Sequence, residues 1–206
     1  METISNKALV AQFYKQIVGQ RNETLIDTYV REDYIQHSPA GKDGREGLRE
    51  MISLLKTLPP STEKTSPVKL LLEDSDLVAG LLYISFMGKQ MLVLDLFRLQ
   101  DCQLAEHWDA VQEVDYHKFD ELVIDRNANA PINKDLVRSR YELIEGCKVY
   151  RVIGEGDIVI VQLEHTEQDV RFARYDILWV KGEMIDLILS VKQKVPDVMM
   201  HGNGML

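Results

Sequence analysis

Cysteine is nearly absent from this chain: Cys102 and Cys147 are the two in 206 residues. They form no CxxC pair, zinc spacing or disulfide framework, so a reducing compartment, the cytoplasm, is the expected location. Positive charge is also short. Twenty-four Lys and Arg against 33 Asp and Glu leave a net charge of −9. That argues against nucleic acid, whose phosphates need clustered cations, and against an anionic membrane surface. No apolar run is long enough to span a bilayer. The start, METISNKALVAQFYKQIV, has the spacing of an amphipathic helix rather than of a signal peptide. The glycines are scattered, without a dinucleotide or phosphate loop, so no organic cofactor is expected. His37, His107 and Asp109 could in principle supply three metal ligands, but no HExxH-type spacing supports them, and no metal is expected.

What is present divides into helices and then strands. Leu9, Val10, Phe13, Tyr14 and Ile17 recur at helical spacing after Ser5 or Asn6 as N-cap, and Gly19 ends the helix. Residues 23–31 read as a second helix, YIQH (34–37) as a short extended piece, and 45–58 as a third helix stopped by Pro59-Pro60. From Val68 the pattern changes to strands at about 68–74, 77–86, 91–99 and 104–113, separated by Asp74-Ser75-Asp76, Gly88-Lys89 and Gln100-Asp101. Helices followed by an antiparallel meander make an α+β layout. A strongly curved sheet wrapped by the helices would form a cone with one open end.

The remaining residues repeat this unit. NKALVAQFYKQIVG (6–19) and NKDLVRSRYELIEG (133–146) agree without gaps at seven of fourteen positions. The strand region recurs at an offset of 81, with DLFRL (95–99) answered by DILWV (176–180). The helix offset is 127, so the second copy lacks 127 − 81 = 46 residues, corresponding to about 20–66 of the first. The expected organisation is a complete unit at 1–116, a connector at 117–132 and a truncated copy at 133–206 that ends in a loosely ordered tail from 197.

Two motifs, YIQHSPAGKDGREGL (34–48) and DLFRLQDCQLAEHWDAVQ (95–112), resemble the SnoaL-like polyketide cyclase group of the nuclear-transport-factor-2-like superfamily. The closing NGML (203–206) is similar to the NGMF that ends many single-domain members. The resemblance covers most of residues 6–114. It implies the helix-and-sheet cone with a pocket on its concave face. By similarity to ketosteroid isomerase, a relative in that superfamily, it implies Asp95, His107 and His37 as acid/base groups. Tyr14, Tyr34, Phe97, Asp109 and Val111 would line the ligand site. Departures are Ser38 in place of the usual Asn, Asp101-Cys102-Gln103 in place of a glycine turn, and no histidine in strand 77–86.

Strand alternation is consistent with that site: Asp95, Phe97 and Leu99 share one face, and His107, Asp109 and Val111 share another. Two uses stay open. One is acid/base chemistry on a small apolar carbonyl compound, of the isomerase, cyclase or lyase type. The other is a satisfied polar network in a non-catalytic binding or scaffold protein. Arg98 and Glu106 should pair across strands, Trp108 should be core or interface, and His117 and His201 should be solvated. In the second copy HWD becomes Ile188-Leu189-Ser190 and only Asp176 remains opposite Asp95. That apolar sheet face needs a cover, so the two sheets are expected to pack on each other within the chain, as a pseudo-dimer, or between chains in a homodimer.

Overall fold

The computed structural model describes residues 4–59, 65–115 and 122–206. The boundary expected at 116/117, and His117, lie outside them. The chain is α+β. Helix α1 (Asn6–Phe13) is capped by Ser5, whose Oγ accepts from the Ala8 N–H at 3.2 Å, and continues as a wide turn over Tyr14–Gly19. A 3-10 turn, Glu23–Leu25, leads into the single turn of α2 (Ile26–Tyr29). Then come β1 (Val30–Gln36), α3 (Gly44–Thr57), β2 (Val68–Asp74), β3 (Leu77–Phe86), β4 (Lys89–Gln100) and β5 (Gln103–Val114). The second half holds α4 (Ala130–Tyr141), β6 (Cys147–Glu155), β7 (Ile158–Glu167), β8 (Val170–Lys181) and β9 (Met184–Lys194).

Three expectations need correction. The helix read over 23–31 stops at Tyr29, because Val30 is buried against the sheet and pairs with Leu104 as the first residue of β1. The helix read over 133–146 runs instead from Ala130 to Tyr141: Pro131 suits a first helical turn, and the Asn129 side chain caps it by accepting from the Ile132 N–H at 3.2 Å. The tail is not loose. Met205 is 2% exposed, and His201, Asn203 and Gly204 all form hydrogen bonds to residues 36–38.

The first sheet has the order β1-β5-β4-β3-β2, antiparallel except for the β1–β5 pair. Its strands are apolar on both faces. One face packs Val78, Leu82, Val93, Phe97 and Leu104 against α1, α2 and α3 through Val10, Phe13, Ile17, Ile26 and Ile52. The other face presents Leu72, Leu81, Leu94, Leu96 and Trp108 to a second sheet, order β6-β7-β8-β9, which answers with Ile153, Ile158, Ile160, Tyr175 and Ile177. Helix α4 covers the far side of that second sheet through Val137. The layers are therefore helices, sheet, sheet, helix.

Contacts between the halves are returned with partners exchanged. Lys7 of α1 bonds Glu155 of β6, and Lys134 of α4 bonds Asp74 of β2. The Glu73 N–H donates to Glu155 and the Gly154 N–H to Asp74. The Val111 N–H donates to Gln193 and the Lys192 N–H to Gln112, both at 2.8 Å. These are the self-complementary pairings of a two-fold contact. The bounds of β3 and β4 recur in β7 and β8 at an offset of 81, and so does the bulge at Val68/Leu70, found again at Val149/Arg151. Ser75 (φ 59°) and Met87 (φ 50°) have counterparts at Gly156 (φ 61°) and Gln168 (φ 49°).

Removing residues 119–206 would expose the apolar outer face of the first sheet. The fragment is expected to aggregate or self-associate in size-exclusion chromatography. A monomer as stable as the full chain would contradict this account of the packing. Ile160→Ala, within the intersheet core, should cost about 2–5 kcal/mol in urea denaturation.

Candidate functional site

The middle of β4 and β5 carries the polar groups of the first sheet. Asp95 and Asp109 are direct cross-strand partners on the helix-facing side, and Phe97 pairs with His107 in the same way. Two carboxylates set opposite each other repel, and both are buried. The Tyr14 hydroxyl, brought in by α1, donates to Asp95 Oδ2 at 2.6 Å. His107 Nε2 lies 3.1 Å from Asp95 Oδ1, and its ring stacks on Phe97 with centroids 4.6 Å apart. Gly80, opposite Asp95 on β3, makes room for Tyr14: a Cβ there would sit 2.5 Å from the hydroxyl.

The other ring nitrogen of His107 faces Gln36 Oε1 at 2.9 Å. That oxygen also accepts from the Ser38 N–H at 3.0 Å, which fixes the amide orientation. His107 Nδ1 must therefore be the donor. A neutral ring would then point its Nε2 lone pair at a carboxylate, so the arrangement favours the imidazolium. Burial alone lowers the His107 pKa, but contact with Asp95 and the nearby Asp109 charge outweigh it and hold it above the usual value. Burial raises the Asp109 carboxyl to about 6; His107 opposes the shift and Asp95 adds to it. Among the described residues Asp109 Oδ1 has no hydrogen-bond partner. Burial first, and the adjacent carboxylates second, keep the Tyr14 and Tyr34 hydroxyls protonated far above neutral pH.

Of the residues singled out by sequence, Asp95, His107, Asp109, Tyr14 and Phe97 come together. Tyr34 and Val111 belong to the apolar cluster on the same side of the sheet. His37 does not join them. Strand parity sends Gln36 toward His107 and His37 to the opposite face, where His37 stacks on Trp108 at 4.8 Å and Nε2 lies 2.8 Å from Glu106. Trp108 lies in the intersheet core with the Arg151 guanidinium 3.8 Å above its ring, and Arg98 pairs with Glu106 at 2.9 Å. His201 is not simply solvated, because Nε2 lies 2.9 Å from the Ser38 carbonyl oxygen. Gln36 was the missed residue. The signal was available, since Tyr34 and Gln36 share parity while His37 does not.

Asp95, His107 and Asp109 each offer a ligand atom within 4.8 Å of the others. Two of the three already serve Tyr14, Gln36 and each other, so an ion would have to break those bonds. A separate surface groove of about 530 Å³ is lined by Arg31, Glu32, Asp33, Arg45 and Gln103. Its charged walls do not suit an apolar ligand.

No protein-family model matches the chain, and no curated protein matches it. Solved structures similar to it include IdmH from Streptomyces antibioticus, at 20% identity over 52% of this chain and 92% of that one, with a TM-score of 0.42. An NTF2-like protein of unknown function from Cytophaga hutchinsonii aligns at 17% identity over 54% and 95%, TM-score 0.43. A SnoaL-like polyketide cyclase from Agrobacterium tumefaciens aligns at 12% identity over 53% and 93%, TM-score 0.40.

The site sets a pH dependence. A carboxyl whose folded pKa exceeds its unfolded value favours the folded state most when protonated, and that contribution is lost as pH rises through the folded pKa. For Asp109 the window runs from the ordinary aspartate value of 3.8 to about 6. Asp109→Asn should therefore raise stability at neutral pH by at most ~3 kcal/mol. It should change little below pH 3.8 and flatten the profile between there and neutral pH, read as Tm against pH. Gly80→Ala should displace Tyr14 from Asp95 and lower Tm at every pH.

Proposed function

We propose that the protein binds a small, largely apolar carbonyl compound and moves a proton beside its carbonyl group, in a cofactor-independent isomerase-, cyclase- or lyase-type reaction. One observation carries this reading: Asp109 is buried against Asp95, and among the described residues one of its carboxylate oxygens has no hydrogen-bond partner. That oxygen is the base. A carboxyl with a pKa near 6 is ionised at neutral pH and is a stronger base than an exposed aspartate. His107, protonated and held between Gln36 and Asp95, places its positive charge beside the developing enolate oxygen. Asp95 keeps His107 charged. Tyr14 holds Asp95 and bounds the site.

The chain's second half supports this division of labour. Tyr141 donates to Asp176 Oδ2 at 2.8 Å, as Tyr14 does to Asp95. Facing Asp176, at the position corresponding to Asp109, stands Ser190, whose hydroxyl donates to it. A Tyr–Asp clamp between helix and sheet is kept in both halves; the second carboxylate and the histidine occur only in the first. The same correspondence supports reading the chain as a tandem within the SnoaL-like group: a complete unit at 1–116, a connector at 117–132 and a truncated unit at 133–206, arranged as an intrachain pseudo-dimer. Among the described residues the second unit sets one helix, α4, against its sheet.

A second reading, binding without turnover, is favoured by the satisfied hydrogen bonds of Asp95 and both His107 nitrogens. Exchange of α-protons in D2O separates the two. A panel of cyclic and aromatic ketones, followed by proton NMR, is expected to include members whose exchange is accelerated by ~10²–10⁴ over buffer. The rate should rise with pH through about 6 and disappear in Asp109→Asn. Saturable ketone binding with exchange at the buffer rate would overturn the catalytic reading in favour of binding.

A further inference from the structure

We propose that the C-terminal segment His201–Met205 is a latch that positions the first-half site: it holds the end of β1 so that Gln36 accepts from His107 Nδ1–H. This rests on the reading of His107 as the charged group beside the enolate oxygen and assigns Gln36 and Asn203 as positioning residues.

Strand β1 is weakly held by its own ladder. It pairs with β5 at Val30↔Leu104, then only at Ile35↔Glu106 and Gln36↔His107, with an irregularity between. The tail adds a bond at each of three successive residues. Asn203 Nδ2 donates to the Gln36 carbonyl at 2.9 Å, His37 Nδ1 donates to the Gly204 carbonyl at 3.0 Å, and His201 Nε2 donates to the Ser38 carbonyl at 2.9 Å. The His201 tautomer this requires is consistent with its Nδ1 accepting from the Asn203 N–H at 3.3 Å. Met205 anchors the segment at 2% exposure, and Gly204 turns it with φ +76°.

From that clamped stretch two contacts reach the site. The His37 N–H donates to the His107 carbonyl at 2.8 Å, and Gln36 Oε1 receives His107 Nδ1–H. If the end of β1 shifts, Oε1 leaves the ring and the reason for a proton on Nδ1 goes with it. The neutral ring then prefers Nε2–H, which can donate to Asp95. The tail follows β9, so the second half delivers to the first a piece without which the His107 site is loosely set.

The test uses the full chain with 15N-labelled histidine and long-range proton–nitrogen NMR. The His107 signals are assigned by their loss in His107→Gln. The tautomer is read at alkaline pH, where the ring is neutral. The Nδ1–H form is expected to be measurably populated beside the Nε2–H form in the native protein. Losing one positioning hydrogen bond in Asn203→Ala should reduce its ratio to the Nε2–H form about threefold or more, and deletion of 201–206 should reduce it further. Gln36→Leu should reproduce the deletion, and Gln36→Glu, which keeps an acceptor at that position, should retain the Nδ1–H form. A ratio unchanged in Asn203→Ala, or unchanged in Gln36→Leu, overturns the proposal. Those single side-chain variants decide it if the deletion does not fold. The measurement needs no turnover, so it can succeed where ketone exchange fails, and the reverse.

Discussion

A sheet with apolar side chains on both faces has to be covered twice, and this requirement organises the protein. Leu82, Val93 and Phe97 point to one side of the first sheet, and Leu81, Leu94 and Leu96 to the other. The helices shield the first set, and the second sheet shields the second. Each full burial of such a side chain is worth about 1.5–3 kcal/mol, far more than the edge ion pairs, so the intersheet core supplies the energy and the reciprocal lysine and carboxylate contacts set the register. Glu155 illustrates the second role. Burial would raise its pKa, yet Lys7, the Glu73 N–H and Arg126 together hold it below the usual range.

Within that frame the Asp95–Asp109 pair is the local exception. Elsewhere buried acids are matched by donors: Asp176 has Tyr141, Arg174 and Ser190, and Asp157 has the Asp125 N–H and Trp179. Asp109 has an oxygen with no partner among the described residues. The chain tolerates this cost in one half and, at the corresponding place in the other, has a serine that removes it. Buried groups kept in an unfavourable state are where function is to be sought.

Much of the fold could be read from residue order. The strand limits, the turns and the offsets of 81 and 127 follow from alternation, turn residues and matched positions, all local properties. The inward direction of Asp95, His107 and Asp109 followed from parity as well. The errors fell where neighbours override local preference: Val30 left a helical pattern for a sheet edge, and an exposed-looking tail gained hydrogen bonds. His37, placed in the pocket by resemblance, faces the other way by one residue of parity.

Residue order alone settles which side chains of one strand share a face, because the period of two is set by the backbone. It does not settle what that face meets. His107 and Gln36 are 71 positions apart, and Gln36 and Asn203 are 167 apart; neither pairing has a local signature. Only the folded chain decides that α1 delivers Tyr14 to Asp95, that β1 turns Gln36 rather than His37 toward His107, and that the last residues of the second half close on the first. Those contacts are set by how the layers stack, and the stacking depends on the whole apolar pattern at once.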